Sequence, residues 1–349
     1  MADAKAVFPR NQTMELAKLA AACLVVFNHC RFPGAVGSLI AYFSNFAVPM
    51  FFMISGYFNF RSSSGQILNR MKKIGVLYVT GELLRVLWLG ALTLVQGGSF
   101  VSFLFRILPD QENLTGWIIY QEPILSGHLW YLQAMVVVYF LYWVYVRFRG
   151  ENRADDKVLY FAGFVTFVVF FLAGVMMRIE SGKGLFLYRN AYFMGFPFFV
   201  AGIFCRAYQS RLFECFALTN RKLAAAMVLG VVLTCQQWIR CGTGYSFGTL
   251  VFVAAFFLLL ASNPKIVPYG SKWEQWILKC GMWSTWIYIL HILVDSIYQE
   301  FFRGALSHWR AEALFYPVAV LLGAWIAAAV VVKIQSYLRI LREKRKNPV

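Results

Sequence analysis

Long apolar runs dominate the chain and alternate with short polar stretches. About ten of these runs approach the roughly 20 residues that a helix needs to cross a bilayer core about 30 Å thick. They lie near residues 14–32, 39–58, 74–96, 128–147, 158–178, 191–208, 223–240, 246–262, 282–302 and 314–334. Because lipid offers no hydrogen-bond partners, the backbone N–H and C=O groups of a spanning segment must bond within that segment, as they do in a helix. Runs of this length therefore predict helices. The pattern predicts an all-α polytopic membrane protein with about ten transmembrane helices.

The composition supports this prediction and excludes a soluble fold. Of the 349 residues, 60% are hydrophobic and 14% are charged, whereas soluble domains have about 45–50% apolar and about 25% charged residues. The seven cysteines are scattered and odd in number, which indicates packing thiols and neither a disulfide scaffold nor a metal site. The formal charge of +17 would suggest a nucleic-acid partner for a soluble protein, so its distribution along the chain decides its meaning.

The basic residues collect in alternate loops. One set of loops and termini holds 23 of the 33, namely Lys5, Arg10, Arg61, Arg70, Lys72, Lys73, Arg147, Arg149, Arg153, Lys157, Arg206, Arg211, Arg221, Lys222, Lys265, Lys272, Lys279, Lys333, Arg339, Arg342, Lys344, Arg345 and Lys346. The other set holds eight, namely Arg31, Arg106, Arg178, Lys183, Arg189, Arg240, Arg303 and Arg310. Cytoplasmic loops carry the excess of Lys and Arg. The uneven distribution of Lys and Arg predicts both termini in the cytoplasm. It also indicates that the positive charge orients the protein in the lipid bilayer and does not bind nucleic acid.

No repeat, low-complexity tract or soluble domain interrupts the pattern. We therefore predict one transmembrane domain over residues 1–340 and a basic cytoplasmic tail over 341–349 of a multi-pass protein of the cytoplasmic membrane. The longest outside loop spans 97–127, and its apolar stretch from Phe100 to Leu108 is expected to lie in the membrane interface.

Ionisable side chains are costly inside a bilayer, so those of the first run are candidate functional groups. Lys18 and His29 are eleven positions apart, which on an α-helix places both on one face, about 16 Å apart along the axis. Glu15 is spaced to pair with Lys18. The three side chains would line a passage. The alternative is that Glu15 and Lys18 are interfacial charges that extend to the headgroups.

Three further places carry candidate chemistry. Glu82 and Arg85 lie one turn apart near the middle of the third run, either as a self-neutralising structural pair or as a pore-lining group. His291 lies at a similar depth in the ninth run, where a lone histidine is more often a hydrogen-bond partner between helices than a catalyst. His128 and Trp130 begin the fourth run, where aromatic residues usually form an interfacial belt.

Basic residues cluster just before the third run. Arg70, Lys72 and Lys73 could hold the phosphates of a cytosolic donor or could simply follow the excess of positive charge in cytoplasmic loops. No phosphate-binding P-loop, serine-hydrolase elbow or metal-spaced Cys and His set is present in the sequence. ATP-driven transport and serine-hydrolase chemistry are therefore not supported.

Taken together, the motifs in the first 75 residues resemble the acyltransferase-3 family of integral-membrane acyltransferases. They are Glu15-Leu-Ala-Lys18, then His29, then Val48-Pro-Met-Phe-Phe-Met-Ile-Ser-Gly-Tyr57 and Arg70-x-x-Lys73. The family has a basic residue before a histidine in its first helix, a similar second helix and an Arg-x-x-Arg pair before the third. Lys18 and Lys73 stand where the family more often has Arg, and Glu15 where it more often has Asp, so the charge is retained.

The resemblance continues to the ninth run. His128-Leu-Trp130-Tyr131-Leu is similar to the family's H-x-W-[FY]-L element, and Ser284-Thr-Trp-Ile-Tyr-Ile-Leu-His291 is similar to its S-x-x-[IL]-Y-L-x-H element. It implies that an acyl group, usually acetyl, passes from cytosolic acyl-CoA to a hydroxyl of a carbohydrate, lipid-linked or other cell-envelope acceptor. No metal is implied.

The resemblance also implies roles for particular residues. His29 would be the general base. Apart from the resemblance, the developing oxyanion needs a donor such as Lys18, Arg85 or a backbone N–H, and Arg85 is the better candidate because Lys18 lies about 16 Å from His29. Arg70 and Lys73 would bind the phosphates of the donor, with Lys18, paired with Glu15, steering its phosphates or its pantetheine arm. The elements that contain His128, Trp130 and His291 would contribute to substrate binding.

Two other classes of protein fit parts of the pattern. A transporter or flippase could use the same polar residues without acyl transfer, although no matched pair of Gly- or Pro-interrupted segments occurs in the two halves of the sequence. A receptor or scaffold would not need Lys18 and His29 on one face. Transfer of label from acetyl-CoA separates the enzyme from both.

The first testable prediction concerns topology. A single cysteine introduced between residues 110 and 115, in a variant without its native cysteines, is expected to react with an impermeant thiol reagent added from outside. The basic-residue split is the reason for this expectation. Labelling from the cytoplasmic side alone would invert the arrangement and move His29 to the cytoplasmic half of the membrane.

Overall fold

The structure, a computed structural model, is helical in every long segment that it describes. It describes residues 10–108, 116, 117, 121, 123, 125–150, 156–176, 188–241, 245–306 and 311–346. No β-strand occurs within these ranges. Most of the segment 109–124 and five of the basic residues counted above (Lys5, Arg153, Arg178, Lys183 and Arg310) lie outside the described residues.

The helices follow the chain in this order: α1 (Gln12–His29), α2 (Gly34–Phe43), α3 (Ala47–Asn59), α4 (Ser64–Val95), α5 (Phe100–Ile107), α6 (Trp130–Arg149), α7 (Lys157–Phe170), α8 (Phe196–Cys215), α9 (Asn220–Cys241), α10 (Phe247–Ser262), α11 (Lys272–Phe301), α12 (Arg303–Leu306) and α13 (Glu312–Lys346). Short 3₁₀ turns join α2 to α3 (Ser44–Phe46) and precede α6 (Gly127–Leu129). π-helical segments extend α7 (Phe171–Met176) and precede α8 (Ala191–Gly195).

Each predicted run forms a helix or part of one, and the all-α polytopic fold is confirmed. Eight helical segments of the described chain are long and apolar enough to cross a membrane, with α2 and α3 counting as one. The expected total of about ten is reached only by adding α1 and α10. Of these, α1 carries Glu15, Lys18 and His29 within 18 residues, and α10 has only 16 residues.

The end of the transmembrane domain and the expected interfacial stretch can both be compared with the sequence predictions. The boundary predicted at residue 340 falls inside α13, which continues to Lys346, so the tail begins as a helical extension. The stretch expected at the interface forms α5, which buries none of its residues and exposes Phe100 and Phe105. An amphipathic helix of this kind suits the surface of a bilayer, and its membrane location stays a prediction.

The core of the bundle lies along α1. Its residues Met14, Ala21, Ala22 and Val26 are fully buried, and it packs mainly against α11. Other close helix pairs are α3 with α8, α4 with α6, α9 with α10, and α11 with α13. Large apolar side chains on α4, α7, α9 and α13 are exposed, for example Leu87, Phe164, Val228 and Leu322. Such an apolar exterior is suited to lipid and would be costly in water.

Glycines allow α3 and α8 to approach at backbone distance. A Cβ atom on Gly56 would lie 1.8 Å from the carbonyl oxygen of Phe199, and one on Gly202 would lie 2.0 Å from that of Met53. Helix association in membranes depends on close packing of small residues, because lipid gives no hydrophobic driving force between helices. The two glycines therefore fix the separation of α3 and α8.

We expect Gly202→Ala to lower the thermal midpoint of the purified protein, because the methyl group meets a backbone atom that cannot rotate away. Overpacking of this kind typically costs about 1–3 kcal/mol. Gly75→Ala is the matched control, since no heavy atom lies within 4 Å of its added Cβ and alanine favours a helix. Equal midpoints for the two variants would show that the α3–α8 approach does not constrain stability.

Candidate active site

Three histidines from separate parts of the sequence meet at one end of the bundle. His29 ends α1, His128 lies in the 3₁₀ turn before α6, and His291 lies in α11. The ring centroids are 5.2 Å apart for His29 and His291, 4.9 Å for His128 and His291, and 6.3 Å for His29 and His128. His128 and His291 are buried, whereas His29 is exposed. We call these side chains the histidine cluster.

Backbone carbonyls determine which nitrogen of each buried ring carries the proton. Nε2 of His128 lies 3.2 Å from the carbonyl oxygen of Ile289, and Nδ1 of His291 lies 2.8 Å from that of Tyr288. A carbonyl oxygen can only accept, so in both neutral rings the nitrogen facing it is the donor. The opposite nitrogens, Nδ1 of His128 and Nε2 of His291, are buried without a hydrogen-bond partner among the described residues. Each ring therefore has a lone pair available to a donor.

Tyr288 holds the turn that carries His128. Its hydroxyl donates a hydrogen bond to the carbonyl oxygen of His128, and its ring lies 5.9 Å from the ring of His128. Because Tyr288 belongs to the same stretch of α11 as His291, one helix fixes the positions of both buried histidines. The serine-to-histidine motif that begins at Ser284 thus acts as a structural unit.

Asp295 is a member of this region that the sequence interpretation missed. It lies one turn after His291 on α11 and accepts hydrogen bonds from Tyr316 at 2.6 Å and Gln299 at 3.2 Å. It is close enough to act electrostatically on both His29 and Arg85. The sequence could have identified it, because a carboxylate within an apolar run is a candidate functional group. Asp295 follows His291 by four positions and therefore shares its helix face.

Glu82 and Arg85, interpreted from the sequence either as a structural pair or as a pore-lining group, act on each other electrostatically without a close contact. No ion pair within 4.0 Å joins these two described residues; Arg85 instead donates from Nη1 to the Ser296 hydroxyl at 2.7 Å on α11. The Glu82 carboxylate is buried and faces the backbone of Leu125 and Ser126. The long arginine side chain reaches a neighbouring helix, so spacing along α4 alone did not determine its partner. Arg85 and His128 line the same small cavity.

Trp130 lies beneath a basic side chain at the entrance to α6. The guanidinium of Arg189 is 5.2 Å from the ring centroid of Trp130, a distance typical of cation–π contacts. Arg189 also acts electrostatically on His29. Trp130 therefore belongs to the surroundings of the histidine cluster, and Arg189 is a second residue that the sequence interpretation did not select.

Glu15 and Lys18 form the predicted ion pair at the opposite end of α1. Nζ of Lys18 lies 2.6 Å from Oε2 of Glu15, and Glu15 is buried. The pair fits against Gly281 of α11, where an added Cβ would lie 1.6 Å from Oε2 of Glu15. The shared face of Glu15, Lys18 and His29 is confirmed, because both ends of that face meet α11. Lys18 and His29 remain about 16 Å apart along the helix.

Arg70 and Lys73 lie near the start of α4, apart from the histidine cluster. Nη1 of Arg70 donates to the carbonyl oxygen of Phe58, the Asn59 side chain and the Ser62 hydroxyl, at 2.7–2.8 Å. Arg70 thus secures the end of α3 and the turn into α4. Lys73 is exposed. Fifteen positions of α4 separate Arg70 from Arg85, which corresponds to about 22 Å.

The described residues contain no group of three or more His, Cys, Asp or Glu side chains arranged to hold a metal ion. What they offer is an exposed imidazole, two buried lone pairs, a carboxylate and an arginine at one end of the bundle. A separate basic group lies toward the other end. This arrangement is suited to proton transfer at one end and to anion binding at the other.

Comparison with curated proteins and with solved structures gives no match. The sequence profile of a family described as an acyltransferase domain matches residues 11–331. That range includes every helix that contributes to the histidine cluster and the first 20 of the 35 residues of α13. The chain belongs to the acyltransferase-3 family and is a multi-pass membrane acyltransferase.

Proposed function

We propose that this acyltransferase moves an acetyl group from cytosolic acetyl-CoA, or another acyl group from its acyl-CoA, to a hydroxyl of a cell-envelope carbohydrate or lipid-linked acceptor. The cytoplasmic membrane is the proposed location. The observation that carries the proposal is the exposed His29 beside two buried histidines whose free lone pairs have no partner among the described residues. Such a site can receive a proton from an incoming hydroxyl.

The reaction uses His29 as general base. Its neutral ring accepts the hydroxyl proton of the acceptor as the oxygen attacks the thioester carbonyl carbon. The carbon–sulfur bond of the tetrahedral intermediate then breaks, and the thiolate of CoA takes the proton back from His29. The products are an ester and free CoA, with no net change in the enzyme. We favour direct transfer, since no Cys or Ser with an adjacent base was recognised in the sequence.

The surroundings of His29 support this role. The carboxylate of Asp295 acts on His29 electrostatically and would stabilise the imidazolium that forms during attack. The free lone pairs of His128 and His291 can accept a hydrogen bond from that imidazolium or from an acceptor hydroxyl. Arg85, which borders a small cavity with His128, is the proposed donor to the developing oxyanion.

The donor would enter from the opposite side of the membrane. Lys73 and the unused guanidinium nitrogens of Arg70 would bind the CoA phosphates, and the pantetheine arm would cover the distance to the histidine cluster. The Glu15–Lys18 pair faces α11 at the inner end of this route. A transporter or flippase would use the same polar groups without forming an ester, so transfer of label is the decisive measurement.

We expect His29→Gln and His29→Ala to abolish transfer of label from radiolabelled acetyl-CoA to the extracted lipid and polysaccharide fractions. Loss of a general base typically costs about 10²–10⁴-fold in rate. The thermal midpoint should change little, because His29 is exposed and makes no hydrogen bond to other described residues.

His291→Gln provides the comparison. Its ring is fully buried and bound to two carbonyls of α11, so a loss of activity should come with a lower thermal midpoint. If a His29 variant kept more than about a tenth of wild-type turnover, far above the range for a lost base, His291 would become the candidate base. If wild-type membranes transferred no label to any fraction, the transporter would be favoured.

We expect Lys73→Gln to raise the KM for acyl-CoA much more than the KM for acceptor, since a charged phosphate contact contributes roughly 1.5–3 kcal/mol. The thermal midpoint should stay constant because Lys73 is exposed. Arg70→Gln should raise the donor KM and also lower the midpoint, because it loses three hydrogen bonds at the end of α3.

Lys222→Gln is the matched control on the predicted cytoplasmic side, since Lys222 is also exposed and lies at the start of α9. It should leave both KM values unchanged. An unchanged donor KM in the Lys73 variant would assign that lysine to the positive charge that orients the protein in the membrane.

A further inference from the structure

A second cavity opens beside the histidine cluster, where α1 ends and α13 begins. Its volume is about 190 Å³, equivalent to roughly six water molecules in the liquid. Five of its seven lining residues are polar, namely Arg31, Gln299, Arg303, Glu312 and Tyr316. We call it the arginine cavity. The cavity has no role in the reaction proposed above.

Tyr316 links the arginine cavity to Asp295, which lies one turn after His291 on α11. Tyr316 lines the cavity and donates its hydroxyl hydrogen bond, 2.6 Å long, to Asp295. Asp295 in turn acts electrostatically on His29, and so does Arg31, two residues after His29 in the chain. A molecule that occupies the cavity would therefore lie next to the residue proposed as the general base.

The cavity has more hydrogen-bond donors than its own wall uses. Arg31 uses Nε on the carbonyl oxygen of Asn28, and Arg303 uses Nη1 on the side chain of Gln299. Within the described ranges, the remaining N–H groups of these two guanidiniums have no hydrogen-bond acceptor. The only acidic side chain of the described lining is Glu312, which accepts from Tyr298 at 3.2 Å. Two positive charges thus face one negative charge.

We propose that the arginine cavity binds an anionic group of the acceptor, and thereby holds the reacting hydroxyl at His29. This inference rests on the proposed function, which it makes more specific. Guanidinium groups bind carboxylate and phosphate through paired, charge-assisted hydrogen bonds. Glu312 and Gln299 can accept from neighbouring hydroxyls of the same ligand. The cavity could hold one small ring with its charged substituent.

The required chemistry is a hydroxyl-bearing unit with one anionic group. The charge could be the carboxylate of an acidic sugar or the phosphate of a phosphorylated or lipid-linked sugar, since both fit a pair of guanidiniums. A neutral sugar offers hydroxyl acceptors but no negative charge to pair with the two guanidiniums. The charge of the acceptor therefore becomes a specificity determinant.

Binding is best measured directly, by saturation-transfer NMR on the full-length protein in nanodiscs of zwitterionic lipid. Three probes separate the cases: methyl β-glucuronide carries a carboxylate, glucose 1-phosphate carries a phosphate, and methyl β-glucoside is neutral. We expect signal from one or both anionic probes and at most weak signal from the neutral one. Signal from only one anionic probe identifies its group as the preferred charge. Equal signals from all three would overturn the proposal.

Arg303→Gln and Arg31→Gln should each weaken binding of the anionic probe by about tenfold or more, the loss expected for a charge-assisted hydrogen bond. Arg240→Gln is the matched control, an exposed arginine at the same predicted outer end. Its variant should bind like the wild-type protein. Equal binding by the Arg303, Arg31 and Arg240 variants would also overturn the proposal.

The readout is independent of acyl transfer. Anionic binding lost in the Arg303 and Arg31 variants, without any transfer of acetyl label, would support the cavity and reject the proposed function. Transfer of label at unchanged rates in those two variants, to neutral and anionic acceptors alike, would support the function and reject the cavity.

Discussion

The fold is organised by the absence of water in the bilayer core, where an unpaired charge or polar group has no alternative partner. The contact between α1 and α11 gives the polar side chains of α1 partners within the protein. At one end the Glu15–Lys18 pair fits against Gly281, and at the other end His29 meets His291. Between these polar ends α1 is buried and apolar. An apolar segment of this helix pair thus lies between two polar regions.

The sequence allowed the helices and the members of this contact to be predicted, because both depend on local periodicity. Ten apolar runs mark the helices, and the eleven-residue spacing of Lys18 and His29 identifies the face that meets α11. The partners of long side chains were not predictable in this way. Arg85 on α4 donates a hydrogen bond to Ser296 on α11 and not to Glu82 one turn away. Its partner depends on which helices become neighbours, and that is decided only when the bundle packs.

The same limit explains Asp295 and Arg70. Asp295 was visible as a carboxylate in an apolar run, but its importance follows from the convergence of α1, α4 and α13 on its side of α11. Arg70 was assigned to the donor from its position in a basic cluster, yet one of its nitrogens closes the turn between α3 and α4. A single arginine can serve both purposes because its guanidinium has several donors.

The position of His29 as the last residue of α1 has an electrostatic consequence. The peptide dipoles of a helix add up to a partial negative charge at its C-terminus, and a cation there is stabilised by about 0.3–1 kcal/mol, or up to about 2 kcal/mol where it is partly buried. If His29 accepts a proton during attack, α1 itself lowers the energy of that charged state. Because His29 is exposed, the range of about 0.3–1 kcal/mol applies, which corresponds to a rate factor of about two to five. The same helix that closes the apolar core would thus contribute to the reactivity of the residue at its end.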